Sequence, residues 1–282
     1  MKRKTILDIK KLKNTSKIVC LTAYSAMQSK IIDEHADIIL VGDSLGMVLY
    51  GMESTLPVTM DMMINHGRAV VNSSEQSLVV VDMPFASYQE SKEQAFRNAA
   101  KILQETKCSA VKFEGGHEMA ETIEFLTSRG IAVMAHIGLQ PQSANVYGGY
   151  GYHGKTDEAR KKIISDAKSV EKAGAFSIVI EGVDEATAAE ISTIVEIPTI
   201  GIGASKLCDG QVLVTDDMLG LTGKNVARFV RQYANLENDI SMAVKQYSDD
   251  VRSGAFPSLK ECYGTKSTIV SIGDNSNNIY GS

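Results

Sequence analysis

Eight short apolar runs, rich in β-branched residues and separated by segments with helical spacing, constrain this chain more than anything else in it. They are residues 17–23 (KIVCLTA), 37–42 (DIILVG), 77–82 (SLVVVD), 110–114 (AVKFE), 131–136 (IAVMAH), 176–181 (FSIVIE), 197–202 (IPTIGI) and 211–215 (QVLVT). Several are continuously apolar rather than alternating, the pattern of strands covered on both faces in a parallel sheet. Residues 91–105, 118–129 and 157–173 carry apolar positions three or four apart, as on one helix face, and Gly130 and Gly174 stand where C-terminal caps are expected. Strands alternating with helices form βαβ units, and eight within about 250 residues predict a TIM (β/α)8 barrel ahead of an open doubly wound sheet. Only eight residues separate the seventh and eighth runs, so a short or irregular turn is expected there.

At 282 residues the chain fits one large barrel as well as two ordinary domains. No composition shift marks an internal boundary, so a single barrel domain is expected over residues 1–263, opening with a short arm or helix. Residues 264–282, rich in Ser, Asn and Gly, read as a flexible tail. No apolar run approaches the ~18 residues needed to span a bilayer, and a soluble protein is expected. A net charge of −5 disfavours broad attraction to nucleic acid or an anionic membrane. Residues 1–13 are an exception, with six basic residues against Asp8 alone, but no secretory-type apolar stretch follows them. The four cysteines are widely spaced and show no CxxC pair, which fits reduced thiols rather than a disulfide framework or a local zinc site.

A barrel of this kind places its chemistry at the carboxyl ends of its strands. Asp43 follows IILVG; Asp82, Glu114, His136 and Glu181 each end an apolar run. Taken singly, each reads as a strand-end cap. Four acids on one rim are costly unless a cation or a shared proton compensates, and carboxylates without a Cys or His cluster favour a hard divalent ion such as Mg²⁺. Lys112 and Glu114 lie two apart, so they share a strand face, and a lysine aimed into the rim suits an anion. The glycine- and tyrosine-rich stretch 138–154 has the length of a functional loop and is expected to cover the site. The two glycines in Gly201-Ile202-Gly203-Ala204 read as a tight turn rather than a phosphate cradle, and no G-x-S-x-G, HExxH or P-loop pattern is present.

The ordered set VGDSLGMVLYGMESTLPVT (41–59), VVDMPF (80–85), VKFEGG (111–116), HIGLQPQS (136–143), IEGV (180–183), GIGA (201–204) and DGQVLV (209–214) resembles the ketopantoate hydroxymethyltransferase family over residues 4–257. The resemblance implies a (β/α)8 barrel of the phosphoenolpyruvate mutase/isocitrate lyase-like group. It implies transfer of a hydroxymethyl unit from 5,10-methylenetetrahydrofolate to 3-methyl-2-oxobutanoate (α-ketoisovalerate), giving ketopantoate in pantothenate biosynthesis. By the same resemblance Asp43, Asp82 and Glu114 would hold one Mg²⁺ per subunit; Asp43, Ser44, Asp82 and Lys112 would bind the keto acid. Glu181 would be the general base, and His136 would stand near the substrate. A homodecamer in the cytoplasm, with no nucleic-acid or membrane partner, is implied as well. The chain departs from the family pattern at Ser25, Gln140 and Ser205, none of them in this set. A related Mg²⁺-dependent keto-acid lyase or mutase would need no folate; such enzymes often carry a KKCGH-type loop, which this sequence lacks. A non-catalytic barrel would be expected to have lost some rim acids, and this chain keeps all four.

Overall fold

A computed structural model describes residues 3–147, 151–223 and 226–263. Eight parallel strands close in sequence order into a barrel: β1 (Ile18–Thr22), β2 (Ile38–Val41), β3 (Leu78–Asp82), β4 (Ala110–Glu114), β5 (Val133–Gly138), β6 (Ser177–Glu181), β7 (Thr199–Ile202) and β8 (Gly210–Leu213). The helices are α1 (Ile6–Leu12), α2 (Ala26–Ile32), α3 (Leu45–Val48), α4 (Met60–Val71), α5 (Lys92–Thr106), α6 (Ala120–Thr127), α7 (Ala144–Tyr147), α8 (Asp157–Lys172), α9 (Glu185–Ile194), α10 (Thr215–Met218) and α11 (Leu236–Ser253). All eight expected runs carry strands, and the link between β7 and β8 is an irregular turn. The chain divides into two compact units, residues 1–234, which contain the barrel, and residues 235–282, whose described part carries α11. The tail expected over 264–282 lies outside the described residues.

The continuous apolar runs follow from two cores on opposite faces of one sheet. Ile38, Leu40, Leu78, Val80, Met134, Val179, Ile200 and Val212 fill the barrel interior. Their chain neighbours Ile39, Val41, Val79, Val81, Val111 and Phe113 pack outward against the helices. Each such fully buried side chain contributes roughly 1.5–3 kcal/mol relative to exposure. The helices start on side-chain caps: Ser91 accepts from the Gln94 amide ahead of α5, and Thr156 from the Ala159 amide ahead of α8. The basic N-terminal segment forms α1, opened by a capping box between Thr5 and Asp8, and α1 inserts Ile9 into the interior core at the amino ends of the strands. Lys13 then pairs with Asp209 at 2.7 Å, both side chains buried. Among the described residues, no helix is long and apolar enough to cross a membrane.

Candidate active site

The alternation that fills the interior also delivers the chemistry. On β3 the inward positions run Leu78, Val80, Asp82; on β4 they run Ala110, Lys112, Glu114; on β5 Met134, His136; on β6 Ser177, Val179, Glu181. The stripes climb from a floor that is hydrocarbon except at Ser177 to an ionisable group at the carboxyl end. Parallel register sets neighbours side by side, Asp82 beside Lys112 and Glu114 beside His136. Asp43 follows β2, where Gly42 permits a close approach: a Cβ there would lie 2.7 Å from Ser44 Oγ. Gly138, at φ +92°, ends β5 where a Cβ would meet the Glu181 carbonyl oxygen at 2.4 Å, so the chain can turn off over the site only with glycine.

Asp43, Ser44, Asp82, Lys112, Glu114, His136 and Glu181, all seven expected from the sequence, line one cavity of about 200 Å³ at the carboxyl ends of the strands. A wider groove of about 710 Å³ runs along β1 and β8; no acid lines it, and it meets the inner cavity at Val212 and Phe229. In the inner cavity Lys112 Nζ lies 3.0 Å from Asp82 Oδ1, and the Asp43 amide donates to Asp82 Oδ2 at 3.1 Å. His136 Nδ1 is 3.4 Å from Lys112 Nζ and 3.9 Å from Glu114 Oε1, while its Nε2 is 3.2 Å from Glu181 Oε2. The contacts at Asp82 Oδ1 and His136 Nε2 have the distance of attraction but not the alignment of a hydrogen bond, and both atoms are buried without such a partner. Glu181 is the most accessible of the ionisable side chains in these contacts, 16% exposed against 4% for its neighbour His136.

Burial governs the electrostatics, opposed by Lys112 and reinforced by crowding of like charge. Burial raises the Asp43 carboxyl above its usual range against the opposing pull of Lys112 and Gln142. Burial pushes Asp82 up to about 7 despite Lys112, with Asp43 adding to the rise. Glu114 is raised well above the normal value by burial and by Asp43. Burial opposes the charge on Lys112, but Asp82, Asp43 and Glu114 outweigh it and hold the proton on. His136 is lowered by burial and by Lys112, so its imidazole is neutral.

Sequence reasoning missed the residues that hold these acids in place. Gln142 donates from Nε2 to Asp43 Oδ2 at 2.8 Å and to the Met83 carbonyl at 3.0 Å, while its amide N–H donates to Glu114 Oε2 at 3.0 Å. Tyr88 donates to Gln142 Oε1 at 2.7 Å and accepts from the Glu114 amide at 3.2 Å. Tyr24 is buried with its hydroxyl 2.8 Å from Ser44 Oγ. The loop expected to cover the site contributes Pro141 and Gln142 through a short 3₁₀ turn (Pro141–Ser143); its residues 148–150 lie outside the described residues. Among the described residues, no three His, Cys, Asp or Glu side chains are drawn together into a closed metal cage. The donor set still suits a hard divalent cation that keeps several waters: oxygen ligands, a buried Asp82 Oδ1 without a hydrogen-bond partner, and acids that take up protons when nothing else offsets their charge.

Similarity to known proteins sharpens this geometry. The fold matches the solved structure of 2,3-dimethylmalate lyase, a PEP mutase/isocitrate lyase superfamily member (TM-score 0.58, 12% identity, covering 88% of each chain). It also matches phosphonopyruvate hydrolase in complex with oxalate and Mg²⁺ (TM-score 0.58, 13% identity, covering 92% of this chain and 93% of that one). At those identities the likeness concerns the fold alone: fold and site together define a closed (β/α)8 barrel with acids massed at its strand ends. The family model for ketopantoate hydroxymethyltransferase matches residues 3–259. Proteins named 3-methyl-2-oxobutanoate hydroxymethyltransferase from Bordetella petrii and Brucella canis are 53% and 54% identical over 264 and 265 residues, covering 94% of this chain and 96% of each relative. The chain belongs to the ketopantoate hydroxymethyltransferase family.

Proposed function

We propose that this chain transfers a one-carbon unit from 5,10-methylenetetrahydrofolate to C3 of 3-methyl-2-oxobutanoate, giving ketopantoate and tetrahydrofolate. The observation that carries the reading is the inward stripe of Asp82, Lys112, Glu114 and Glu181 beside Asp43, a set that suits a chelating keto acid and a base in one water-poor cavity. Asp43, Asp82 and Glu114 would hold Mg²⁺. Bound there, that ion would supply Lewis-acid stabilisation of negative charge on the keto oxygen.

The chain's own residues divide the remaining work. Lys112 offsets the charge of the 2-oxo acid from a position already fixed by Asp82. Ser44, held by Tyr24, offers a hydroxyl to the carboxylate end of the substrate. Glu181 takes the C3 proton as general base; it is the acid best placed to meet substrate, being less buried than the metal-side carboxylates. His136, whose imidazole burial keeps from taking up a proton, packs against it at 3.2 Å. In the net reaction the C3–H bond is replaced by a bond to the methylene carbon, the carbon–nitrogen bonds to folate break, and water supplies the hydroxyl. All these residues lie within the barrel unit. A cytoplasmic homodecamer belongs to the same reading, checked by light scattering of the purified protein. The direct test is whether α-ketoisovalerate and methylenetetrahydrofolate yield ketopantoate on addition of Mg²⁺; no product with the metal present would overturn it.

A further inference from the structure

The groups assigned above occupy one arc of the rim, from the end of β2 to the end of β6. The opposite arc is of another character. Ile202 at the end of β7, Val214 after β8, Phe229 beyond it and Met47 from the β2 side form an apolar wall to the same cavity, interrupted by a single carboxylate, Asp217. In a closed ring of eight strands β8 stands four places from β4, so Asp217 faces the cavity from the side across from Lys112 and Glu114. Phe229 and Met47 remain 40% and 42% exposed, an aromatic and a thioether only partly covered at the mouth. The Phe229 ring lies against Gly203, where a Cβ would come within 2.6 Å of it, so the turn after β7 leaves just the space the ring needs. Thr222 Oγ1 donates to Asp217 Oδ1 at 2.5 Å and anchors the carboxylate, whose second oxygen accepts no hydrogen bond from the described residues.

We propose that this arc is the subsite for the tetrahydropterin ring of the one-carbon donor, with Asp217 accepting from the ring N3–H and 2-amino group and Phe229 carrying its face. This deepens the transferase reading and rests on it. A 2-amino-4-oxopterin presents two donors side by side, the fork that a carboxylate accepts bidentately from a guanidinium, on an otherwise flat and weakly polar body. The chemistry sets the direction of entry. The keto acid is held on the charged arc, so the carrier that brings carbon to C3 must come from the other wall. An apolar wall with one acid matches that ligand and repels a second keto acid. The pteridine rather than the glutamate end belongs here, because Asp217 would oppose the glutamate carboxylates.

The test pairs protein and ligand changes, using tetrahydrofolate and its 2-desamino-2-methyl analogue as probes, with Mg²⁺ and α-ketoisovalerate present. Wild-type protein is expected to bind the analogue about tenfold or more weakly than tetrahydrofolate, since Asp217, covered by the bound ring, is left without one of its donors. Asp217→Asn should lose a similar factor on tetrahydrofolate and nothing further on the analogue. Phe229→Leu should weaken both ligands alike, by roughly three- to tenfold. The dissociation constant for α-ketoisovalerate should stay within about twofold in both variants. The wild-type comparison decides the matter even if Asp217→Asn does not fold: equal affinity for tetrahydrofolate and the analogue overturns the proposal. So does an Asp217→Asn protein that still discriminates between them. Wild-type protein that forms ketopantoate yet shows either result sinks the subsite alone, whereas wild-type protein that forms no ketopantoate sinks the transferase reading beneath it.

Discussion

Gln142→Met is the most informative single change, because it keeps side-chain volume and the main-chain N–H to Glu114 while removing the amide that serves Asp43. A hydrogen bond to a buried carboxylate contributes about 1.5–3 kcal/mol, and taking ~2 kcal/mol gives about a thirtyfold loss, since 1.4 kcal/mol is tenfold. The loss should fall on cation affinity. Gln142 is one of the groups that hold the Asp43 carboxyl down against burial, so without it Asp43 competes for a proton more strongly and for a cation less. That estimate lies inside the 10–100-fold range typical of residues that orient metal ligands. Calorimetric titration of Mg²⁺ at fixed pH, with keto acid saturating, reads it directly. The change also strands the Tyr88 hydroxyl and the Met83 carbonyl, so some thermal stability is lost whatever the metal does. A purely structural role would lower the melting temperature equally with and without Mg²⁺; the coupling described here requires the stabilisation by Mg²⁺ to shrink. A folded variant whose Mg²⁺ affinity stays within about twofold of wild type would refute the reasoning.

Three further outcomes are expected. Glu181→Gln should bind Mg²⁺ and α-ketoisovalerate but lose exchange of the C3 proton in deuterated water; near-normal exchange would remove Glu181 from the base role. Asp82→Ala should abolish Mg²⁺-dependent turnover, and full activity after chelator treatment would rule out the proposed cation site. Asp33 is buried, which raises its carboxyl, yet the amides of Ser77, Glu75 and Gln76 and the Ser74 hydroxyl together bring it down to about 2. A folded-state value below the unfolded 3.8 contributes stability above about pH 4 that disappears as pH falls through about 2, worth roughly 2.4 kcal/mol at neutral pH. Urea unfolding of Asp33→Asn against pH should show that loss at pH 7 and a flatter acid limb; parallel curves for variant and wild type would contradict it.

The shared direction of the strand-end residues is legible in the sequence because it obeys parity. An ionisable residue closing an apolar run must share a face with the second residue before it, so Val80 and Asp82, or Lys112 and Glu114, reveal their common direction without any structure. The edges of elements were less legible where loop bonds decide them. Residues 131–136 read as the fifth strand, but β5 begins at Val133, because the Ile131 amide turns back to the Leu126 carbonyl and finishes α6. The eighth run was read to Thr215, yet β8 ends at Leu213, and the Thr215 amide and hydroxyl bind Thr22 on β1 instead. Gln142, Tyr88 and Tyr24 were invisible as site residues for a related reason. An uncharged polar side chain in an irregular stretch carries no periodicity, and Gln142 meets Asp43 across 99 positions of chain. Only closure of the barrel gives such a contact an address.

The hydrocarbon floor formed by Leu40, Val179 and Val212 also works as an insulator. Buried side chains close the cavity from the amino-terminal half of the barrel, where Ile9 of α1 adds a further plug, so polar contacts to a ligand there come from the carboxyl-end rim. Widening that floor, as in Leu40→Ala, therefore admits solvent beneath the charged arc and weakens each of its fields at once. A residue with no polar atom in its side chain thus sets how strongly Lys112 and the acids act, and the protein's heat stability and its chemistry draw on the same few methyl groups.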